Sequence, residues 1–239
     1  MDRTADGRPR FYGRRHGKRL SARRRRLLDE WLPALQIPEP AAGETIDPAT
    51  LFDPAPRAVW LEIGFGGGEH LVAQALDHPD VGFLGVEPFT NGLAALLARM
   101  ADAGLDRVRI FPDDARLLLP ALKTAGIERL FVLFPDPWPK KRHWRRRFIG
   151  PDTLDDLARV LADGGELRTA SDDPVMIRWI LEQVRAHPAF TWTARGPADW
   201  RARPADAAPT RYEEKAIEEG RQPLYFSFRR RPRDSSAAP

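Results

Sequence analysis

The spacing of hydrophobic and polar positions changes at Pro56, and this change divides the chain into two parts. Before it, residues 1–20 show no hydrophobic period and residues 33–56 contain six prolines, so neither stretch predicts a long helix. Between them, Ser21 is a predicted N-cap for one short helix. After Pro56, short apolar runs alternate with segments that have the period and length of helices. This alternation predicts βαβ units.

Seven apolar runs of the second part are predicted as strands, at residues 58–63, 81–87, 107–111, 129–134, 166–171, 189–194 and 223–230. Helices are predicted between them at residues 69–76, 91–104, 115–122, 152–165 and 174–187. Strands joined by helical crossovers lie parallel, so we predict an α/β fold with a doubly wound, mostly parallel, seven-stranded sheet and helices on both faces. Ligands of such sheets bind at the carboxyl ends of the strands.

Charge is segregated along the chain, although the formal net charge is only +4. Residues 1–31 hold eleven basic and four acidic side chains, residues 137–150 hold six basic side chains and no acid, and the remainder is acidic. An acidic body with two basic segments indicates a polyanionic partner. Nucleic acid is favoured over a membrane surface or a solvated tail, because aromatic residues interleave the second segment and can stack on bases beside arginine.

Composition excludes several other classes of protein. The chain has no cysteine, which excludes a disulfide scaffold, a thiolate metal site and a cysteine nucleophile. Its five histidines show no ligand spacing, so no metal site is predicted. No apolar run approaches the ~18 residues of a membrane span, and the arginine-rich start lacks the apolar core of a secretory signal. We therefore expect a cytoplasmic protein without membrane association, either a monomer or a homodimer, with no obligate protein partner.

Polar residues follow the first two predicted strands in a pattern that suits a nucleoside ligand. Gly64, Gly66 and Gly68 permit a tight turn and a close approach of a ligand to the backbone. A dinucleotide fingerprint is not matched, because Glu69 stands where its third glycine would be, and no P-loop lysine follows. Glu87 ends the second strand about 20 residues further on, where an acid can hold both ribose hydroxyls. The alternative is an acid at a helix N-terminus.

Carboxylates also follow the third and fourth strands. Either Asp113 or Asp114 can accept a hydrogen bond from an adenine amino group, or cap the next helix. Asp136 stands between two prolines that hold the chain extended, and Trp138 and Lys140 follow closely. An acid, an aromatic ring and a base fixed at the end of a buried strand form the most specific feature of the sequence.

Two further segments leave a structural and a functional interpretation open. Asp172 and Asp173 follow the fifth strand, and one of them is predicted to cap the next helix. Thr210 and Glu213 have the spacing of a capping box, so the polar stretch around them has a purely structural explanation as well.

Six segments now stand in order: LEIGFGGGEHLV, GVEP, PDDA, LFPDPWPKKRHWRRR, TASDD and PTRYEEKA. In this order and spacing, over roughly residues 55–230, the chain resembles the bacterial tRNA (guanine-N7-)-methyltransferases, the TrmB family. The resemblance implies a Rossmann-like, S-adenosylmethionine-dependent methyltransferase fold with six parallel strands and a last antiparallel strand. It also implies transfer of a methyl group from S-adenosylmethionine to N7 of guanosine 46 in the variable loop of tRNA, by direct in-line displacement.

The same resemblance implies a role for individual residues. The cofactor-binding residues would be Glu62, Gly64, Gly66, Glu87, Asp114 and Asp136, of which Asp136 would also be catalytic. The substrate-binding residues would be Lys140, Asp172, Thr210, Arg211, Tyr212 and Glu213. The RNA-contacting residues would be Arg142, His143, Trp144, Arg145, Arg146 and Arg147. Arg211 stands where lysine is usual in the family, which keeps the charge but replaces a compact ammonium by a planar fork.

The expected organisation is a basic flexible arm over residues 1–20, a short helix with a proline-rich wrapping segment over 21–56, a catalytic domain over 57–230 and a disordered tail over 231–239. Two alternative functions stay open at this level. A methyltransferase for a small molecule or a protein would not need the two basic segments. An RNA-binding module without catalysis would not need acids at four successive strand ends.

Overall fold

The computed structural model describes residue 4 and residues 7–233, and the following concerns those residues alone. Most of the predicted disordered tail and the first residues of the predicted arm lie outside them. At the end of the described chain, Arg233 Nη2 donates to the backbone carbonyls of Arg159 at 2.6 Å and Leu161 at 2.8 Å. Within the described residues, no helix is long and apolar enough to cross a membrane.

The apolar runs form one sheet over the described part of the chain. Its strands are β1 (Ala58–Ile63), β2 (Val81–Val86), β3 (Val108–Phe111), β4 (Ile127–Leu133), β5 (Leu161–Ser171), β6 (Phe190–Trp192) and β7 (Leu224–Arg230). Their order is β3-β2-β1-β4-β5-β7-β6. The pairs among β1 to β5 are parallel, whereas β7 runs antiparallel to both β5 and β6. The predicted seven-stranded, mostly parallel α/β sheet with one antiparallel last strand is confirmed.

Helices cover both faces of this sheet. They are α1 (Ala22–Glu30), α2 (Leu32–Leu35), α3 (Glu69–Asp77), α4 (Thr90–Ala103), α5 (Ala115–Leu118), α6 (Pro151–Val160), α7 (Pro174–Ala186), α8 (Ala198–Arg201) and α9 (Arg211–Glu218). Short 3-10 helices occupy Pro48–Leu51, Leu119–Ala121 and Lys141–Arg146. Ser21 caps α1 as predicted, since its hydroxyl accepts a hydrogen bond from the Arg24 backbone N–H at 3.4 Å.

One predicted boundary is wrong. The helix expected at 152–165 ends at Val160, and β5 begins at the next residue. Leu161 is already extended and pairs with Ile127 of β4, while Gly164 has a φ of +75° that a helix does not allow. The chain therefore leaves the helix five residues earlier than the helical period indicates.

Burial on both faces explains why the central strands read as continuous apolar runs. Along β1, Val59, Leu61 and Ile63 enter one hydrophobic cluster, and Trp60 enters another on the opposite face. The parallel strands β1 to β5 all end at one side of the sheet, which we call the carboxyl edge. Polar groups that the covered faces exclude can reach solvent there.

The described part of the N-terminal arm runs along this carboxyl edge. The backbone N–H and hydroxyl of Thr90 both donate to the carbonyl of Arg15, at 2.9 and 2.8 Å. The side chain of Asn91 accepts from the N–H of Gly17 at 2.8 Å and donates to the carbonyl of Lys18 at 2.7 Å. The start of α4 thus holds the arm through its backbone, which the composition of the arm does not predict.

Candidate active site

The glycine-rich turn after β1 forms the floor of the site. Gly64, Gly66 and Gly68 have φ values of +73°, +55° and +78°, in the left-handed region that favours glycine. Helix α4 packs closely on this turn, because a Cβ on Gly92 would lie 2.5 Å from the carbonyl oxygen of Gly66. Gly92 was not identified from the sequence as part of the site. The one indication in the sequence was a glycine, next to Asn91, near the start of a predicted helix, where glycine is unfavourable unless close packing requires it.

Glu87 fastens this turn to the end of β2. Its carboxylate accepts hydrogen bonds from the backbone N–H groups of Gly66 at 2.8 Å and Phe89 at 3.0 Å. The residue is only 8% exposed, and burial raises its pKa from an ordinary 4.5 to about 7. A group that is half ionised near neutral pH, with two fixed N–H partners, is suited to exchange hydrogen bonds with the hydroxyls of a ligand.

A cavity of about 650 Å³ opens at the carboxyl edge above the turn. Its wall brings together most residues predicted to bind the cofactor: Gly64, Gly66, Glu87, Asp114 and Asp136. Residues that the sequence did not single out for this wall also line it, including Arg116, Phe148 and residues 11–14 of the arm. The arm therefore contributes to the cavity as well as to the surface.

Asp113 and Asp114, which the sequence could not tell apart, have different positions. Asp114 caps α5, because its Oδ1 accepts from the backbone N–H of Arg116 at 3.0 Å, and it also lines the cavity. The Arg116 guanidinium lies on the same carboxylate, 2.9 Å from Nε to Oδ1, and donates to the carbonyl of Arg10 at 3.0 Å. Asp113 instead pairs with Arg15 of the arm at 2.7 Å.

Asp136 lies in a loop that contains two strained residues and is supported from within by a buried arginine. Phe134 and Trp138 have φ values of +49° and +42°, which cost energy in residues with a Cβ. Arg147 is buried beneath the loop, where its Nε and Nη2 donate to the carbonyls of Pro137 at 2.8 Å and Trp138 at 3.2 Å. Asp136 is exposed in the cavity wall, and desolvation by the surrounding protein raises the pKa of its carboxyl.

The predicted RNA-contacting run separates into two kinds of residue. Arg142 and Arg145 are exposed, whereas Arg147 is only 5% exposed and cannot present its guanidinium at the surface. The guanidinium of Arg146 lies between two aromatic rings, 4.2 Å from the centre of Tyr12 and 5.0 Å from that of Trp138. The run of charges therefore includes residues that build the mouth of the cavity.

Three neighbours complete this loop. Trp144 is half-buried against Trp179, with 5.5 Å between ring centres. His143 packs edge-on against Trp138. Its pKa is lowered mainly by desolvation and also by the positive charges of nearby arginines and Lys140. Lys140 is exposed at the start of the 3-10 helix.

The segment that begins at Thr210 forms the predicted capping box. The Thr210 hydroxyl accepts from the N–H of Glu213 at 3.1 Å, and the Glu213 carboxylate accepts from the N–H of Thr210 at 3.4 Å. Glu213 is 3% exposed and also accepts from Arg203 at 3.0 Å and from the Tyr225 hydroxyl at 2.5 Å. These donors account for its carboxylate, so its role in the structure is that of an anchor.

Tyr212 is the residue of this segment that reaches the cavity. A Cβ on Gly66 would lie 3.1 Å from its ring, which shows how closely the ring covers the glycine-rich turn. Desolvation, together with the charges of Glu87 and Asp136, raises the pKa of its hydroxyl. Arg211 is exposed beside it.

Glu62 and Asp172 are further predicted site residues that do not line the cavity. Glu62 is buried and pairs with the Nδ1 of His70 at 2.8 Å, which joins β1 to α3 on either side of the glycine-rich turn. Asp172 accepts from the Nε of Arg221 at 2.6 Å and lines a separate groove of about 930 Å³. Asp173, its neighbour, caps α7 through the N–H of Met176 at 2.8 Å.

Comparison with known proteins gives consistent matches. A methyltransferase family model, described as "Putative methyltransferase", matches residues 56–225. The tRNA (guanine-N(7)-)-methyltransferase of Rhodospirillum rubrum is 59% identical over 226 residues, which cover 94% of this chain and 89% of that protein. The enzyme of the same name from Paramagnetospirillum magneticum is 54% identical over 231 residues, 96% of each chain. The solved structure of 16S rRNA methyltransferase KamB, 17% identical, has a TM-score of 0.55 over 74% of this chain and 89% of that one, and shows the same fold.

The raised pKa of Glu87 predicts how stability depends on pH without ligand. Because the folded state keeps a proton that the unfolded state releases from pH 4.5 upward, the free energy of unfolding should fall as pH rises to about 7. Urea unfolding at pH 5 and 7.5 should show a loss up to about 2 kcal/mol larger in the wild type than in Glu87→Gln. The exposed variant Glu182→Gln should behave as the wild type, and equal losses in all three proteins would contradict the assignment.

Proposed function

Because the chain belongs to the tRNA (guanine-N(7)-)-methyltransferase family, we propose that it methylates N7 of guanosine 46 in the variable loop of tRNA, with S-adenosylmethionine as the methyl donor. The observation that carries the proposal is the position of Asp136. This carboxylate lies where a cavity with a glycine-rich floor meets a mouth built of arginine and aromatic rings. With tRNA as the substrate, the enzyme would act in the cytoplasm, and a monomer or a homodimer is compatible with the proposal.

The residues of the cavity fit S-adenosylmethionine. Glu87 would hold the ribose, since its carboxylate is fixed by two backbone N–H groups and lines the cavity. Asp114, which lines the cavity, would accept a hydrogen bond from the adenine amino group, and the left-handed turn at Gly64 and Gly66 would leave room for the rest of the molecule. Glu62 would support the turn from beneath through its contact with His70.

Methyl transfer to guanine N7 does not require removal of a proton from the base. When bound, S-adenosylmethionine supplies an electrophilic methyl group on a positively charged sulfur. Guanine N7 carries a free lone pair and no proton at neutral pH, so the protein needs no general base, and its task is to align the two reactants. Asp136 faces the cavity and would stabilise the positive charge that reaches the guanine ring.

The surface around the mouth suits an RNA that presents one base. Where N7 of the target guanine is engaged in tertiary pairing in folded tRNA, the base has to turn out before it can react. Trp138 and Tyr212 line the cavity and offer rings on which a base can stack. The exposed side chains of Arg142 and Arg145, with those of the arm, would contact phosphates, which position an RNA without reading its sequence.

A methylation assay on tRNA tests the proposal directly. Purified protein should transfer labelled methyl from S-adenosylmethionine to an unmodified tRNA transcript, and digestion should yield 7-methylguanosine. A transcript with adenosine at position 46 should remain unlabelled. Label on the altered transcript would retain the reaction but refute position 46, and label in protein or small molecules alone would refute tRNA as the substrate.

Asp136→Asn should keep the fold and slow the methyl transfer step. Asparagine preserves the volume of the side chain but removes the charge that opposes the cation on guanine. We expect the single-turnover rate at saturating S-adenosylmethionine to fall by about 10²–10³, as when one preorganised electrostatic group is removed.

The control for this variant is Asp155→Asn, at a carboxylate whose side chain is 94% exposed. It should react at the wild-type rate. Should the rate of Asp136→Asn recover fully when the cofactor is raised to saturation, Asp136 would bind the cofactor only.

Binding of tRNA should depend steeply on salt, and the two basic segments should share that dependence. Deletion of residues 1–20, or Arg142→Ala with Arg145→Ala, should each reduce the slope of log affinity against log salt by roughly 0.7–0.9 for every phosphate that the protein no longer neutralises. The matched control replaces Arg178 and Arg185, two exposed arginines of α7, by alanine. An equal reduction of slope in this control would show that net charge, and not position, determines binding.

A further inference from the structure

The connection between α8 and α9, residues 202–209, is tied to the sheet by one acidic residue. The two carboxylate oxygens of Asp206 bind the guanidinium groups of Arg168 at 2.8 Å and Arg129 at 3.2 Å. Its backbone carbonyl accepts a hydrogen bond from the side chain of Gln74 in α3. Three elements of the fold, β4, β5 and α3, therefore meet at Asp206.

The two arginines form a prepared receptor for a carboxylate. Arg129 and Arg168 lie on neighbouring strands, and the Nε atoms of both are 3.1 Å from the same Glu166 carboxylate. Their side chains are only 21% and 13% exposed, and the Arg129 guanidinium covers the ring of Trp60 at 4.1 Å. Two partly buried cations with one acid between them favour a second acid, which Asp206 supplies.

Helix α9 buries few of its own side chains against the rest of the protein. Only Glu213 and Ala216 are buried in it, and Tyr212 and Ile217 are each 57% exposed. The position of Tyr212 against the glycine-rich turn therefore depends on what holds the chain before it. One anchor is Glu213, bound by Arg203 and Tyr225, and the other is Asp206.

We propose that Asp206, held by Arg129 and Arg168, is a positioning residue that places Tyr212 over the cofactor cavity. Asp206 does not line the cavity itself, so it acts through the connection and not by contact with either reactant. Its side chain is 43% exposed, so its removal should cost little global stability while it loosens the connection. The assignment rests on the proposed function for its kinetic test, and on the contacts alone for its structural test.

The kinetic test is a double-mutant cycle. Asp206→Ala should lower kcat/KM for tRNA methylation about 10-fold, and Asp206→Glu should recover part of the loss. In a Tyr212→Ala background the same Asp206→Ala change should cost less than about twofold, because the residue through which it acts is gone. The control Glu214→Gln removes one exposed charge of α9 and should leave kcat/KM unchanged.

The structural test does not need activity. Trypsin cleaves after arginine unless proline follows. The Arg203–Pro204 bond is therefore resistant, and the cleavable arginines that flank the anchored part of the chain are the exposed Arg201 and Arg211. Cleavage there should be several-fold faster in Asp206→Ala than in the wild type or in Glu214→Gln, with an unchanged midpoint of thermal unfolding.

The outcomes separate the two proposals. Equal losses of kcat/KM in both backgrounds, or no loss in either, would overturn the positioning role while methyl transfer stands. If the wild type transfers no methyl group to tRNA, the proposed function fails, and trypsin cleavage alone then decides whether Asp206 anchors the connection. Cleavage of Asp206→Ala at the wild-type rate would overturn that as well.

Discussion

The sheet is covered on both faces, and this constraint determines where polar chemistry can occur. Side chains of β1 alternate between two hydrophobic clusters, so neither face has room for a hydrated ligand. The parallel strands all end at the carboxyl edge. There the Glu87 carboxylate accepts a hydrogen bond from the Gly66 backbone N–H, which links the ends of β1 and β2. The cavity, the raised pKa of Glu87 and the position of Asp136 all follow from this arrangement.

The strands could be predicted because burial on both faces leaves a clear pattern of apolar runs. The end of α6 could not, since the helical period continues past Val160 while the pairing of Leu161 with Ile127 depends on a strand far earlier in the chain. Asp114 shows a related limit. Sequence offered a helix cap or a ligand contact as alternatives, whereas the structure lets one carboxylate both cap α5 and line the cavity.

Runs of like charge were the least informative part of the sequence. The sequence gives no means to distinguish Arg145 from Arg147. In the structure Arg145 is exposed, whereas Arg147 is buried and supports the Asp136 loop from within. The arm lacks a hydrophobic period, and part of its attachment is made by backbone groups of Gly17 and Lys18 with the side chain of Asn91, far away in the chain. Hydrogen bonds between a backbone and a distant side chain leave no periodic signal in either segment.

The near-neutral pKa of Glu87 makes ligand binding a proton-linked event. A ligand whose hydroxyls donate to this carboxylate favours its ionised form, so that each binding event at neutral pH expels a fraction of a proton into solution. The heat of binding then contains the ionisation enthalpy of whichever buffer takes up that proton. Calorimetry in phosphate and in Tris would give different apparent enthalpies for the same complex, and their difference counts the protons that leave the cavity.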